Sequence, residues 1–400
     1  MSQCTSTDNI HQRLRPLLLS VLPSPDNTRL LKACLSSGLE ASNAWEDWLN
    51  RVGNPKSWLE RDYSGLKGLL PFIQHALTKN RIELSEEFRT YLRVSTLREE
   101  LRSEIYRNIA GEVLSTLQSA GLQVIALKGA ALSETVYDHP NIRHNHAIDL
   151  LLHESDLPAA VEALKSLPFV PSPQQSRAHA QHQNFIHETG LPLTLHSRLF
   201  FLPYYDADQG GVWDRAESAY VGEVKTLVCC AADNLVHVCG HASYSRSRSN
   251  LRWVCDAFYI LKRRPSIDWN IVVQEARNHH LVIPLKAILE YLAKELQVEI
   301  PEYVLTELSK IPLGEDSADC EAVLAIATMG ISPFRALSRL SGSWRAKLLI
   351  AKFMLFPPKN YVRWRYGVSH PMLTPLVYIY RPCRFLFRRI LRVSGLRQPQ

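Results

Sequence analysis

The sequence predicts an α+β protein in which a small mixed β-sheet is flanked by N-terminal and C-terminal helical regions. Apolar residues recur at helical spacing before residue 121, short apolar runs separated by turn residues follow, and helical spacing returns after residue 205. Helices around one compact sheet segment are typical of this fold class. We therefore divide the chain into an N-terminal helical region (1–120), an α/β core (121–205), a second helical region (206–321) and a basic C-terminal region (322–400).

The N-terminal region is predicted to be helical. Proline and glycine interrupt its first 80 residues, which indicates several short helices there. From Glu86 to Gln118 the chain lacks proline and contains a single glycine, so we expect one long amphipathic helix, or two nearly end to end, that stops at Gly121. The apolar residues that recur in this segment are Leu92, Val94, Leu97, Leu101, Ile105, Ile109, Val113 and Leu117.

The α/β core begins with a strand, a turn and a helix. Residues 123–127 form a short apolar strand, Gly129 lies in the turn, and residues 130–137 form the helix. The pattern then predicts a second strand at 148–152 and a helix at 156–167. Further strands are expected near 184–187 and 193–196, and further helices at 234–241, 251–261, 269–278 and 284–296.

The charged residues are distributed unevenly along the chain. The segment after Glu321 contains 14 basic residues and no acidic residue, whereas the first 321 residues carry 32 basic and 39 acidic residues, a charge of −7. A basic segment on an acidic protein indicates an anionic partner. Three alternatives stay open for region 322–400: packing against the acidic part of the chain, docking on an anionic membrane surface or a partner protein, and, less favoured, binding of nucleic acid.

Composition and motifs exclude several classes of protein. No run of 18 apolar residues predicts a membrane-spanning helix, and the N-terminus lacks the features of a secretory signal. The eight cysteines are scattered, which is typical of reduced thiols. No P-loop, serine-hydrolase elbow, dinucleotide fingerprint or zinc-finger spacing occurs. We expect a cytoplasmic protein, with peripheral attachment to the inner membrane surface as an open alternative.

Histidines are numerous but predict no metal centre. His237 and His241 have the i, i+4 spacing of a ligand pair, but no third ligand follows, so helix packing is expected for them. The histidines His179, His182, His187, His279 and His280 have no recognised ligand spacing, and we expect them at the surface.

Short motifs occur in a fixed order between residues 120 and 260. They are Leu127-Lys128-Gly129, Val136-Tyr137, Pro140, Arg143, Ile148-Asp149-Leu150-Leu151-Leu152, Leu195-His196, His237 with His241, and Trp253 with Asp256. In this order they resemble the uncharacterised bacterial nucleotidyltransferase-like family of the DNA polymerase beta superfamily. The resemblance extends, more weakly, over nearly the whole chain. It implies that the small mixed sheet is of nucleotidyltransferase type.

The resemblance also implies a reaction, a cofactor and a set of residues. The reaction is transfer of a nucleotidyl group from a nucleoside triphosphate to an unknown acceptor, with Mg²⁺ as the cofactor. Lys128 and Gly129 would cradle the phosphates, Arg143 would assist in nucleotide binding, and Asp149 would be the metal ligand. Lys128 and Asp149 are the candidate catalytic residues. Asp256 is expected to be a structural hydrogen-bond partner.

Two carboxylates of the family pattern are missing from this sequence. The residue two before Asp149 is normally acidic, and here it is Ala147; the third acid falls at Thr194. A methyl group and a hydroxyl do not replace two anionic ligands of hard divalent ions. The sequence therefore predicts that nucleotidyl transfer is weakened or lost, as in a pseudoenzyme. The alternative is a non-catalytic nucleotide-binding or adaptor protein docked through its basic C-terminal region.

Overall fold

A computed structural model describes most of the chain, which divides into two compact units. The described residues are 10, 13–14, 16–18, 21–61, 66–172, 182–200, 205, 210–244, 251–314, 317–328, 344–366, 373 and 375–380. The larger unit contains residues 18–175 and 179–311, and the smaller unit contains residues 1–17, 176–178 and 312–400.

The larger unit is built around a seven-stranded mixed sheet with the order β3-β4-β5-β2-β1-β7-β6. Strands β1 and β7, and strands β2 and β5, run parallel, whereas the other neighbours are antiparallel. The α+β class predicted from the sequence is therefore confirmed. The strands are β1 (Ile125–Leu127), β2 (Ile148–Leu151), β3 (Phe169–Pro171), β4 (His182–His187), β5 (Pro192–His196), β6 (Glu217–Val221) and β7 (Val224–Val228).

Thirteen described helices belong to this unit, and they match most of the helices predicted from apolar spacing. They are α1 (Pro25–Leu35), α2 (Gly38–Val52), α3 (Pro55–Arg61), α4 (Leu70–Lys79), α5 (Glu86–Ser119), α6 (Lys128–Thr135), α7 (Leu157–Ala163), α8 (Gly210–Asp214), α9 (Ala231–Ser243), α10 (Arg252–Arg263), α11 (Trp269–Asn278), α12 (Val282–Leu296) and α13 (Glu302–Lys310).

The two faces of the sheet have different partners because side chains alternate along each strand. Ile148 and Leu150 of β2 belong to the same buried cluster as Leu193 and Leu195, their register partners on β5. The C-terminal half of α5 completes this cluster with Tyr106, Ile109, Val113, Leu114 and Leu117. Each fully buried aliphatic side chain contributes roughly 1.5–3 kcal/mol to folding. Asp149 alternates with these residues and therefore points to the opposite face.

The sequence pattern missed three strands, β3, β6 and β7. The hairpin of β6 and β7 turns at Gly222, whose φ of +60° favours glycine. Most of its side chains are exposed or half-buried at the sheet edge, so the apolar alternation that reveals a half-buried strand is weak there. Long-range pairing of β7 with β1, rather than local pattern, places this hairpin in the sheet.

The smaller unit includes α14 (Ala318–Thr328), α15 (Trp344–Leu355) and α16 (Lys359–Tyr366). Two of them lie in the basic segment after Glu321. Among the described helices of the whole chain, none combines the length and the apolar composition required to cross a bilayer.

Candidate functional site

Lys128 directly follows β1 and is the first residue of α6, so Gly129, which was predicted in a turn before the helix, lies in the first turn of the helix itself. The backbone of Lys128 is strained. Its φ is +49°, in the left-handed region that side chains other than glycine rarely adopt. Such strain persists where the surrounding structure enforces it, often at functional sites. The turn brings the Lys128 ammonium to the neighbouring strand β2, where its Nζ lies 2.8 Å from Oδ1 of Asp149.

Asp149 receives a second hydrogen bond on the same oxygen atom. His196 Nε2, at the end of β5, lies 2.8 Å from Asp149 Oδ1. An ionised carboxylate only accepts, so Nε2 carries the proton. Burial alone would raise the pKa of Asp149, but Lys128 and His196 outweigh burial and hold this pKa well below its usual value. Asp149 is therefore a buried anion with two fixed donors.

His196 is neutral in this arrangement. Burial lowers the pKa of His196, and the nearby Lys128 ammonium lowers it further. Its other ring nitrogen, Nδ1, is buried and has no hydrogen-bond partner among the described residues. Within the described part of the chain, the fixed positive charge that contacts Asp149 is accordingly the ammonium of Lys128.

Arg143 forms a second buried ion pair on the same side of the sheet. Its Nε and Nη2 atoms each donate to Asp256 on α10 at 2.8 Å, and its Nη1 donates to Asn145 at 2.8 Å. Tyr137 also donates to Asp256, at 2.7 Å. The structural hydrogen-bonding role predicted for Asp256 is confirmed. Most of the hydrogen-bond donors of Arg143 are thus engaged by protein acceptors, so Arg143 holds the loop before β2 in position.

Gly129 has no side chain, and this leaves room for the Arg143 side chain beside it. A Cβ atom at this position would collide with Oδ1 of Asn145 and Nη1 of Arg143. Asn145 is itself held by Ser133, whose hydroxyl donates to the Gly129 carbonyl at 2.7 Å. Glycine is therefore needed here for the close approach of the Arg143 loop to the Lys128 turn.

A cavity of about 300 Å³ joins these groups. Three cations and two carboxylates line the cavity, a formal charge of +1: Lys128, Arg143, Arg252, Asp149 and Asp256. Its three histidines, His146, His237 and His241, do not add charge at neutral pH, because burial lowers the pKa of each, that of His237 to about 3. The site residues predicted from the sequence all line this cavity.

Arg252 is the cation of the cavity that has no carboxylate of its own. Its Nη1 donates to the His144 carbonyl at 3.3 Å, and it forms no ion pair within the described part of the chain. Burial lowers the pKa of Arg252, and repulsion from Arg143 lowers it further, while the guanidinium stays charged. An anionic ligand would relieve this unbalanced charge.

The carboxylate set does not fit two magnesium ions. The parallel register of β2 and β5 places Thr194 directly beside Asp149, where the third acid was expected, and Thr194 donates to Asn184 at 3.0 Å. Asp149 itself is neutralised by Lys128. A divalent ion on its other oxygen would meet the repulsion of that ammonium within a few ångströms. Across the described residues, no group of three or more His, Cys, Asp or Glu side chains is arranged to hold a metal ion.

Several histidines predicted at the surface are buried. His182 is 8 %, His187 6 % and His279 1 % exposed, whereas His280 is half-buried and His179 lies outside the described residues. The prediction was wrong for the first three because these side chains pack by aromatic contact and hydrogen bonding: His182 against His196, and His279 Nδ1 to the Tyr205 carbonyl at 2.7 Å. Their lack of ligand spacing in the sequence indicated that they bind no metal, but it did not indicate exposure.

Sequence reasoning missed the roles of His196 and Arg252. A signal for His196 exists, because it lies two residues after Thr194 and therefore on the strand face that Asp149 shares. Arg252 directly precedes Trp253 in the motifs that carry the family resemblance, but no local spacing relates it to the cavity, which it reaches from a helix more than one hundred residues after Asp149. Arg143, Gly129 and Asp149 lie close together in sequence, which is why their proximity was predictable.

The comparison with known proteins agrees with this architecture. Residues 64–297 match the family model described as uncharacterised nucleotidyltransferase. A search of curated proteins found none with significant similarity. The matched segment contains all seven strands, the long helix α5 and every residue of the Lys128–Asp149 cavity, and it covers more than half of the chain. The chain therefore belongs to the family of uncharacterised nucleotidyltransferases.

Proposed function

We propose that this protein binds a nucleoside triphosphate in the Lys128–Asp149 cavity without a divalent cation, and that nucleotidyl transfer has been lost. The observation that carries the proposal is the engagement of Asp149 by Lys128 and His196. In two-metal transfer that carboxylate must coordinate a cation. Here it serves as the counter-ion of a lysine.

The charge of the cavity supports an anionic ligand. Lys128 and Arg252 line a space whose formal charge is +1, and both side chains are partly accessible. Triphosphate oxygens accept charge-assisted hydrogen bonds from such groups, each worth about 1.5–3 kcal/mol. The Lys128 ammonium supplies the positive charge that a metal ion would otherwise bring to the phosphates.

Nucleotide binding is expected in EDTA and is expected to be at least as tight there as in magnesium. The measurement is calorimetric titration of the full-length protein with each of the four common nucleoside triphosphates, in both buffers. Lys128→Met should weaken binding roughly 10- to 100-fold, because one charge-assisted bond is lost. The exposed Lys165, whose Nζ pairs with Glu162 on α7, provides the matched control Lys165→Met, which should bind as the wild type does.

The outcomes of this titration separate the alternatives. Binding only in the presence of magnesium would show that the cation-free site is wrong while a nucleotide site exists. An absence of binding in both buffers would favour an adaptor protein docked through region 322–400.

Substitution of Asp149 is also expected to affect catalysis and triphosphate binding differently. Asp149→Asn keeps the shape of the side chain but frees the Lys128 ammonium, so triphosphate binding in EDTA should be unchanged or tighter. With labelled triphosphates, magnesium and candidate hydroxyl acceptors, the wild-type protein should transfer no more label than Asp149→Ala does. Robust transfer that disappears in Asp149→Ala would contradict the loss of catalysis.

A further inference from the structure

The middle of α5 turns polar side chains inward and apolar side chains outward. Glu99 is 7 % and Ser103 is 4 % exposed, although both are polar. Four apolar residues of the same segment are 43 % to 66 % exposed, and we call them the outer stripe: Val94, Leu97, Leu101 and Ile105. The sequence pattern correctly predicted a helix here, and the structure shows that these four of its apolar residues face outward.

An internal polar cluster explains why the inward face is not apolar. Glu99 accepts from Arg102 at 3.2 Å and lies 2.7 Å from His144 Nδ1, in the loop that leads to β2. The C-terminal half of α5 is fixed by the apolar core, where Ile109 and Val113 are buried. These contacts set the rotation of α5, so core packing does not account for an apolar outer stripe.

The outer stripe has the geometry of a helix-pairing surface. Its residues follow one another at intervals of three and four, so they lie on one side of the helix over about 16 Å. Exposed apolar residues that are scattered singly need no explanation, but a continuous row of them indicates an interaction surface.

The charges beside the stripe indicate its partner. Arg93 and Glu104 are exposed on the same edge of the stripe, near its two ends, and neither forms an ion pair within the described residues. A second α5 helix placed antiparallel about a two-fold axis near residue 99 would bring each Arg93 opposite the other copy's Glu104. The same operation places Val94 opposite Ile105 and Leu97 opposite Leu101. A parallel arrangement would leave Arg93 and the other copy's Glu104 about 16 Å apart along the helix axis, so this pair could not form.

We propose that the outer stripe is a self-association surface, through which two copies of the chain pair their α5 helices antiparallel. A short helix pair buries less area than a standard stable interface, so the dimer is weak, with a dissociation constant roughly in the micromolar range. The proposal is independent of what the cavity binds, because the stripe lies on the solvent side of α5.

Sedimentation velocity of the full-length protein over a concentration series tests the proposal. The wild type should pass from monomer to dimer, and Leu101→Glu should raise the dissociation constant about 100-fold or more, because it buries a charge in the interface. Leu39, an exposed residue of α2, provides the matched control Leu39→Glu, which should dimerise as the wild type does. A wild-type monomer at every concentration would overturn the proposal.

Charge reversal tests the antiparallel register. Arg93→Glu and Glu104→Arg should each weaken the dimer about tenfold, and the double variant should restore wild-type association, because the opposed pair is re-formed with its signs exchanged. Arg98 lies on the other edge of the outer stripe, where it would be close to Arg98 of the second copy. Arg98→Gln should therefore strengthen association, because it removes the repulsion between these two like charges. A dimer that Leu101→Glu disrupts but the double reversal does not restore would overturn the antiparallel pairing.

Discussion

Replacing Asp256 with alanine is expected to lower the free energy of unfolding by about 3–5 kcal/mol, because it leaves the buried Arg143 guanidinium without its counter-ion. In the wild type this guanidinium makes two 2.8 Å bonds to Asp256, and the two side chains are only 9 % and 6 % exposed. Asp256 also raises the pKa of Arg143 against the opposing effect of burial. Tyr137 would lose its acceptor as well. Urea unfolding followed by circular dichroism measures this loss.

Two comparisons isolate the uncompensated charge as the cause. Glu162→Ala breaks an ion pair with Lys165 whose side chains are about 70 % exposed, and it should cost less than about 1 kcal/mol. The double variant Arg143→Met with Asp256→Ala should recover much of the stability lost in Asp256→Ala, since no buried charge remains unpaired. If the double variant is as unstable as the single one, packing rather than charge dominates.

The parts of the site that were predictable from the sequence are those set by local chain geometry. Lys128, Gly129 and Asp149 lie on one strand-turn-helix-strand segment, and the antiparallel register of Leu127 with Asp149 brings the turn beside the acid. Thr194, where the third acid was expected, lies beside Asp149 because β2 and β5 pair in parallel. The family pattern therefore predicted which residues the sheet brings together, while their roles as metal ligands stay a prediction.

What the sequence could not supply is the pairing of charges across the fold. Asp256 lies 113 residues after Arg143, and His196 lies 47 residues after Asp149. No local pattern shows that both carboxylates of the cavity are matched by fixed donors, since packing of α10 and β5 on the sheet creates those contacts. The expectation that Lys128 faces phosphate and the finding that it binds Asp149 are compatible, because a triphosphate would compete with Asp149 for the same ammonium.

The long helix α5 was likewise predictable in its bounds, which depend on local sequence, but not in its packing, which depends on distant residues. Spacing correctly predicted a helix from residue 86 to about 118, and the structure has it from Glu86 to Ser119. Spacing did not reveal which apolar residues face the sheet, because the polar cluster of Glu99 with His144 depends on a loop more than forty residues away.

Lys128→Met is expected to lower the free energy of unfolding by about 3 kcal/mol at pH 7, and this loss should shrink as the pH falls. Asp149 has a folded pKa below its unfolded value of about 3.9, so its contribution is present above that pH and disappears as the pH falls through the folded pKa. Without Lys128, His196 alone would oppose the effect of burial, so the pKa of Asp149 would rise above its wild-type value and much of the stabilisation of its anion would be lost.

Protonation of His196 also reduces the stability difference between the wild type and Lys128→Met as the pH falls. Lys128 helps burial to lower the pKa of His196, so the Lys128→Met variant would protonate His196 more readily on acidification. The imidazolium would then pair with Asp149 and partly replace the missing ammonium. Chemical denaturation of both proteins between pH 8 and the lowest pH at which the wild type remains folded measures the difference. A difference that is constant with pH would show that Lys128 stabilises the fold through packing of its aliphatic chain, and the assignment of its ammonium as the permanent counter-ion of Asp149 would then be wrong.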